Sequence, residues 1–408
     1  MARNLRVGVQ RGLRQSIGGG LGTGDIFTLS QASFDFSRTN TIDSRITFSR
    51  ASSGTFVGAD GLIKTTPSDA PRFDHSATGE SLGLLIEEAR TNFALNSDSV
   101  QGSSIGTPIP NSTASVVSPR GITETVRQLG RDVPAGGAQT WRVGSASGGT
   151  ANTTYTISFY AKTVSGGTTS INVDINDITP TGGQATTITG EWTRITKTGG
   201  SANNNLRFFD MNMVTATADF YVWGAQIEVG SFATSYIPTT SSQVTRAADV
   251  AEITGTNFSS FFNPEASTVF VDGNITAGPT GQYVLFAIKK STSNPAFNMS
   301  RRSAQGSRFN RFNPSGSQDI NFNGPTWTDN SFRKLACAMG QTSASFVDSG
   351  SLIGTTTTYV KPAASDGLTK LVLGNAERGG FVPYNVHIKR LAYFPTRLSD
   401  ANLQAITT

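Results

Sequence analysis

Short runs of alternating apolar and polar residues recur along most of the chain. Clear examples occupy residues 154–162, 168–175 and 220–228. Alternation with a period of two places successive side chains on opposite faces of a β-strand. Glycine pairs separate these runs, at 148–149, 166–167, 182–183 and 199–200. Short strands separated by glycine-rich turns predict an antiparallel β-sandwich over residues 97–245.

A second group of strand-like runs follows the Ser/Thr-rich linker predicted at 240–255, and it includes residues 267–272, 282–288, 332–339 and 386–394. Residues 25–96 contain shorter runs and an Asp-Gly turn at 60–61, so we predict hairpins that join the N-terminus to the first sandwich. The predicted fold class is therefore all-β. Two antiparallel β-sandwich (jelly-roll) domains follow each other in series, at 97–245 and 251–408.

Composition agrees with this class. The chain has 408 residues, more than one core usually accommodates, and it contains 44 glycines and only 15% charged residues. No run of 18 apolar residues occurs, so no membrane insertion is predicted. The one cysteine, Cys337, cannot form an intramolecular disulfide. A single thiol fits assembly in a reducing cytoplasm.

The first 24 residues form a basic arm. Before the first acidic residue, Asp25, stand four arginines: Arg3, Arg6, Arg11 and Arg14. Leu5, Val9 and Leu13 are spaced as on one face of a helix. Two interpretations stay open: a flexible tail, and an anchoring arm that docks on an acidic surface of another protein. Nucleic acid is not a predicted partner, because no aromatic residues are interleaved with these arginines.

Two long strings carry a family resemblance. Residues 220–250 read FYVWGAQIEVGSFATSYIPTTSSQVTRAADV, and residues 45–96 include PRFDHSATGESLGLLIEEARTN. Together they resemble a jelly-roll region of tailed-bacteriophage virion proteins. The resemblance implies a fibre or spike component that is assembled in the bacterial host and joined through its N-terminal arm to other virion proteins. Such a protein is expected to be a homotrimer, because multivalency strengthens weak sites.

The C-terminal half carries a second resemblance. Residues 371–375 read LVLGN, and residues 388–407 read IKRLAYFPTRLSDANLQAIT. These strings are similar to concanavalin-A-like and laminin-G-like lectin domains, in which a short helix follows the last strand. Here Ser399 is placed to cap that helix. Members of the family sometimes bind calcium through loop acids, and we expect no other cofactor; the candidate ligands are Asp348, Asp366 and Asn375.

The strings YTISFYAKT, EWTRITKT and FYVWGAQIE resemble carbohydrate-binding jelly rolls, in which exposed aromatic rings stack on sugars. Trp141 and Trp192 are therefore candidate sugar contacts, and the alternative for both, as for Trp223, is packing in the core.

Residues 294–327 interleave arginine with phenylalanine. Arg308 and Arg311 are candidates for binding carboxylated sugars, and Trp327, which follows a Gly-Pro pair, is predicted to be displayed. The alternative is a set of hairpin strands whose phenylalanines fill the core while the arginines are solvated.

Three functions stay open. The first is recognition of host surface polysaccharide by a fibre or spike, and the second is a purely structural head decoration or a collar or tail component. The third is glycan hydrolysis, which we do not expect, because the Glu-x-Asp-x-Glu string of the hydrolytic relatives is missing after residue 250. Glu87 and Glu88 are adjacent and would point to opposite faces of a strand, so we predict ion pairs with Arg72 or Arg90. An anchor at the start of the chain predicts that the C-terminal sandwich lies farthest from the particle and carries the recognition site.

Overall fold

The computed structural model describes residues 23–106, 110–130, 139–144, 150–175, 178–179, 184–201, 208–213, 219–276, 282–290, 295–302, 306–313, 316–358, 367–374 and 385–408. Its helices are α1 Thr23–Phe27, α2 Gly255–Ser259 and α3 Asp400–Thr407. The strands before residue 97 are β1 Ala32–Asp35, β2 Thr47–Ser49, β3 Gly54–Val57, β4 Ile63–Thr66, β5 Arg72–His75, β6 Ser81–Ile86 and β7 Arg90–Asn92.

The next strands are β8 Gly102–Gly106, β9 Asn111–Val117, β10 Thr123–Gly130, β11 Gln139–Gly144, β12 Thr154–Thr163, β13 Thr169–Ile175, β14 Ile178–Thr179, β15 Gln184–Ile188, β16 Thr193–Ser201, β17 Phe208–Met213 and β18 Asp219–Val229. The last are β19 Val244–Arg246, β20 Val250–Thr254, β21 Ser267–Thr276, β22 Gln282–Lys289, β23 Pro295–Arg302, β24 Gly306–Phe312, β25 Gln318–Thr326, β26 Arg333–Met339, β27 Ala344–Asp348, β28 Ser351–Thr356, β29 Lys370–Leu373 and β30 Asn385–Phe394. The regular elements of the described chain are almost all antiparallel β-strands, as predicted.

Strands β8 to β18 form one sandwich, called the inserted sandwich below. Its six-stranded sheet has the order β14-β16-β12-β18-β10-β9, and its five-stranded sheet has the order β15-β13-β17-β11-β8. Side chains such as Phe159, Val222 and Ile171 fill the core between the two sheets. Alternation along β12 then places Tyr160 on the outer face of the six-stranded sheet, where it packs in a second cluster with Trp223.

A local irregularity accompanies Tyr160. The register between β12 and β18 shifts between Ser158 and Tyr160. On β18, Gly224 takes a φ of 68°, and a Cβ there would lie 3.2 Å from the Tyr160 ring. A β-bulge of this kind re-aims side chains. It belongs to the surface that forms the site described below.

The C-terminal sandwich is built from both ends of the chain. Its sheets have eight and seven strands, and four of these fifteen, β1, β2, β5 and β6, precede residue 97. Strand β6 pairs with β30, with Leu84 opposite Ile388 and Ile86 opposite Val386. This pairing differs from the predicted division, in which residues 25–96 formed a separate hairpin region before the first sandwich. The reason is apolar burial, because Leu84 and Ile86 enter the same core as β30.

Gly83 allows the close approach of β6 to β30. Its φ is 87°, and a Cβ at this position would lie 2.2 Å from the carbonyl oxygen of Ile388. An L-residue would suffer both the unfavourable φ and the backbone clash. The contact between the two distant segments therefore requires glycine at this position.

The start of the described chain also belongs to the C-terminal sandwich. Ile26 of α1 is buried in a cluster with Leu403 and Ile406 of α3. The Phe27 ring meets Phe270 edge to face at a centroid distance of 5.1 Å. The position of α1 beside this sandwich gives no support to the expectation that the C-terminal sandwich lies farthest from an N-terminal anchor, which stays a prediction. The four arginines of the arm, Arg3, Arg6, Arg11 and Arg14, lie outside the described residues.

Helix α3 begins as predicted, because the Ser399 side chain accepts a hydrogen bond from the Asn402 amide at 3.2 Å. Among the described residues, the helices are all too short and too polar to span a membrane.

Cys337 lies on β26 and is fully buried. Burial raises the pKa of its thiol far above the ordinary value, so little reactive thiolate forms at neutral pH. We expect a thiol reagent to leave the native protein unlabelled and to modify one thiol per chain after denaturation in guanidinium chloride. Mass spectrometry of both samples measures this difference, and rapid labelling of the native protein would contradict the buried position.

Candidate functional site

Five charged side chains form a buried charge network where the two sandwiches meet. Arg72 Nη1 lies 2.5 Å from Glu87 Oε2, and Arg72 Nη2 pairs with Asp249. Arg50 Nη1 lies 3.0 Å from Asp249 Oδ1, and Arg246 Nη1 lies 2.8 Å from Glu87 Oε2. All five side chains are at most 2% exposed. Buried charges of this kind are tolerated only when they are paired.

The network fixes the ionisation of Glu87. Burial alone would raise the pKa of this carboxyl group, but Arg246, Arg72 and two hydrogen bonds from Ser235 outweigh burial and hold the pKa far below its usual range. Glu87 is therefore ionised, and both of its carboxylate oxygens already have hydrogen-bond or ion-pair partners. The predicted ion pairs are confirmed, since Glu87 pairs with Arg72 and Glu88 pairs with Arg90.

The network residues come from the two strings that carry the virion resemblance. Arg50, Arg72 and Glu87 lie within residues 45–96, and Arg246 and Asp249 lie at the end of 220–250. These five residues of the two strings thus hold one segment against the other.

A cavity of about 110 Å³, called the junction cavity below, adjoins the network. Tyr160 and Arg194 line it from the outer face of the inserted sandwich. Asp74 and Asn385 line it from β5 and β30 of the C-terminal sandwich, and Thr55 lines it from the β3–β4 hairpin. Other lining residues include Phe56, Val57, Ile63, Leu85, Glu87 and the segment 233–236. The cavity exists only because both sandwiches contribute to it.

Asp74 is held in position from two sides. Its Oδ1 accepts a hydrogen bond from the Val57 amide at 2.7 Å, and its Oδ2 lies 2.8 Å from His387 Nε2. His387 Nδ1 lies 3.1 Å from Asn274 Oδ1, which also accepts from the His387 backbone amide at 3.2 Å. Each carboxylate oxygen has two lone pairs, so Asp74 retains capacity to accept from a ligand hydroxyl.

Arg194 and Asn385 add two further polar side chains to the cavity wall. Arg194 Nη2 donates to Ser158 Oγ at 2.8 Å. Among the described residues, the solvent-inaccessible Nε of Arg194 and Oδ1 of Asn385 have no hydrogen-bond partner. The Arg194 guanidinium lies 5.8 Å from the Tyr160 ring centroid, so an aromatic ring and a charged donor group occur together.

The predicted tryptophan contacts divide into two classes. Trp141 is 3% exposed and packs in the core of the inserted sandwich, and Trp223 is fully buried. Trp192 is only partly buried, and its Nε1 donates to the Val117 carbonyl at 2.9 Å. Its ring lies 6.5 Å from Tyr221, next to the cluster that includes Tyr160. Trp192 therefore belongs to the outer face that borders the junction cavity.

The predicted contacts of the C-terminal half are placed differently. Phe297 and Phe309 fill the core, as the hairpin alternative predicted. Trp327 is 1% exposed and donates to the Ser331 carbonyl at 2.9 Å, so the prediction that it is displayed is wrong. The reason is that the preceding Gly-Pro pair continues strand β25 instead of forming an exposed turn.

The two arginines of that segment are buried too, and not solvated. Arg311 is 2% exposed and pairs with Asp319. Arg308 is 8% exposed, and its Nε donates to Asn321 Oδ1 at 2.8 Å. Neither guanidinium is presented as an open binding group.

The calcium candidates are not brought together in what the structure describes. Asp348 is buried, and its Oδ2 lies 2.6 Å from Arg333 Nη1. Asp366 and Asn375 lie outside the described residues. Within the described ranges, no three His, Cys, Asp and Glu side chains group so as to hold a metal ion.

Sequence reasoning missed the residues that line the junction cavity. Tyr160 and Arg194 lie inside the strings that resemble carbohydrate-binding jelly rolls, and that resemblance was the available signal. Asp74 and Asn385 carried no signal, because they are more than 300 positions apart along the chain.

Comparisons with known proteins give fold neighbours alone. No family model and no curated protein matches the chain. Among solved structures, the Ruminococcus gnavus IT-sialidase CBM40 matches with a TM-score of 0.32 and 20% identity, over 37% of this chain and 88% of that chain. The same module bound to alpha2,3 sialyllactose gives the same values. Trypanosoma rangeli sialidase matches with a TM-score of 0.31 and 12% identity, over 39% of this chain and 25% of that chain. These scores are too low to support any statement about function.

Proposed function

We propose that this chain is a glycan-binding structural protein of a tailed-phage particle and that the junction cavity takes one sugar unit of a host surface polysaccharide. The observation that carries the proposal is the combination in one cavity of the Tyr160 ring, the Asp74 carboxylate and the polar side chains of Arg194 and Asn385. Sugars present apolar ring faces together with many hydroxyl groups. The volume is below the ~300 Å³ at which drug-sized sites begin, so it suits a single unit.

The cavity favours binding over cleavage. Glycoside hydrolysis needs a second carboxyl group, and in most families one of the two is protonated. Among the described residues that line the cavity, the two acids are Asp74 and Glu87. Glu87 is ionised, and its oxygens are occupied by Arg72, Arg246 and Ser235. It therefore holds no proton to donate as the general acid. A binding protein without hydrolytic activity is the function that this arrangement supports best.

The virion part of the proposal is supported by the resemblance of residues 45–96 and 220–250. In the proposed role, the arm at residues 1–24 docks on other virion proteins and holds the C-terminal sandwich, which leaves the inserted sandwich and the junction cavity facing outward. A homotrimer would multiply weak sugar contacts. A structural decoration or collar or tail component would share this architecture but bind no glycan.

Changes in the junction cavity are expected to weaken glycan binding. Tyr160→Ala removes the ring and Asp74→Asn removes the negatively charged acceptor, and we expect each to reduce adsorption of the purified protein to host cells about tenfold or more. Asp60→Asn is the matched control, because it removes the same charge from the exposed β3–β4 turn. Thermal melting shows whether the variants stay folded. Unchanged adsorption by folded Tyr160 and Asp74 variants would contradict a sugar site in the cavity.

A separate experiment tests the proposal that the protein belongs to a phage particle. We expect mass spectrometry of purified particles to detect the protein, and we expect a variant without residues 1–24 to fold but not to join particles. Normal incorporation of the truncated protein would refute the anchoring role and leave the sugar site unaffected.

A further inference from the structure

We propose that the junction cavity selects a sugar that carries a carboxylate and that Arg194 is the residue that determines this selectivity. The inference rests on the proposed glycan-binding function and names the class of sugar.

Arg194 differs from the arginines around it. Arg72 and Arg246 lie close by, and each pairs with a carboxylate of the buried charge network. Arg90 pairs with Glu88, and Arg120 Nη1 lies 3.0 Å from Asp98 Oδ2. Arg194, in contrast, forms no ion pair with any carboxylate of the described residues, and its one hydrogen-bond partner there is Ser158 Oγ. A guanidinium that lines a cavity and forms no ion pair there can pair with an anionic ligand.

The chemistry of the guanidinium favours a carboxylate. Arginine presents five N–H donors in a planar fork, and a carboxylate can accept two parallel hydrogen bonds from it. Among the described residues, Ser158 Oγ is the one hydrogen-bond acceptor for this guanidinium, at 2.8 Å from Nη2, so the fork keeps further donors for a ligand. The Arg194 guanidinium also lies 5.8 Å from the Tyr160 ring centroid, so the charged group stands beside an aromatic ring.

The wall that the C-terminal sandwich contributes suits the rest of such a sugar. Asp74 Oδ2 lies 2.8 Å from His387 Nε2 and keeps capacity to accept from a ligand, and the Asn385 amide is a second polar group on this wall. Acceptors on this wall match ligand hydroxyls, and the donor Arg194 matches the carboxylate. A ligand with its charge at one end and hydroxyls at the other, as in uronic and sialic acids, satisfies both walls.

The test uses the full-length protein and pairs of glycans that differ in the carboxyl group alone. Hyaluronan, polygalacturonate and sialyllactose are each immobilised beside their carboxyl-reduced forms. We expect the wild-type protein to bind at least one acidic glycan about ten- to a hundredfold more tightly than its reduced form, which is typical of hydrogen bonds to a charged group. Arg194→Gln should abolish this preference, and Arg194→Lys should retain part of it.

Lys197→Gln is the matched control, because it removes the same charge from the same strand at a residue that does not line the cavity. Thermal melting confirms that the variants are folded. Equal binding of acidic and reduced glycans by the wild-type protein would overturn the carboxylate assignment and leave the proposed function standing. Binding of sulfated glycans without binding of carboxylated ones would also overturn it. A preference that survives Arg194→Gln would refute the role of Arg194, and no binding to any glycan would refute the proposed function itself.

Discussion

Residues 251–408, expressed without the N-terminal segment, are expected to remain unfolded. Four of the fifteen strands of the C-terminal sandwich would be missing, and β30 would lose its pairing with both β1 and β6. The core would also lose Phe34, Phe73 and Leu84. Such a fragment exposes apolar surface and unpaired strand edges together. Circular dichroism and the absence of a cooperative urea transition measure the result.

A second chain that keeps the N-terminal strands tests whether the loss of those strands, and not the shortening itself, prevents folding. The Asn96 amide donates to the Thr240 carbonyl at 2.7 Å, so a short Gly-Ser linker can replace the residues between them. Residues 23–96 joined in this way to 240–408 restore every missing strand, and we expect this chain to unfold cooperatively. A cooperatively folded 251–408 fragment would show that the N-terminal strands are dispensable.

Arg72→Met is expected to lower the free energy of unfolding by about 3–5 kcal/mol, the typical cost of removing one partner from a buried ion pair. The change keeps most of the side-chain volume but leaves Glu87 and Asp249 short of a counterion in a fully buried position. Urea denaturation followed by fluorescence measures the loss.

Lys64→Met serves as the control for this experiment. It breaks the pair between Lys64 and Asp60, whose side chains are 40% and 49% exposed, and exposed pairs contribute little. We expect no measurable change for this variant. A similarly small effect of Arg72→Met would mean that the buried charge network does not hold the two segments together.

The sequence predicted the strands better than it predicted their partners. Alternating side chains identify a strand such as β12 or β18 locally, because the period of two is a property of the strand itself. The pairing of β6 with β30 is not local, because Leu84 and Ile388 meet only through a shared core. Nothing in the pattern distinguishes a strand that joins its neighbour from one that joins the far end of the chain.

The same limit applies to the junction cavity. The ion pairs of Glu87 and Glu88 followed from strand geometry and nearby arginines, and they were confirmed. Tyr160 and Arg194 could be placed on strands, but the facing residue Asp74 belongs to the other sandwich. Trp327 and Arg311 show the converse error, since residue types suited to sugar binding are here buried for packing and ion pairing.

The separation of β6 from β30 also imposes an order on events at the ribosome. Ile86 pairs with Val386, so β6 must wait for 300 further residues to be synthesised. At about 5–20 residues per second, that interval is roughly 15–60 s. Strands β8 to β18 are complete long before then, so the inserted sandwich can fold while the N-terminal strands still lack partners. During that time the exposed edges of these strands are vulnerable to misassociation, and factors that shield a nascent chain should raise the yield of folded protein.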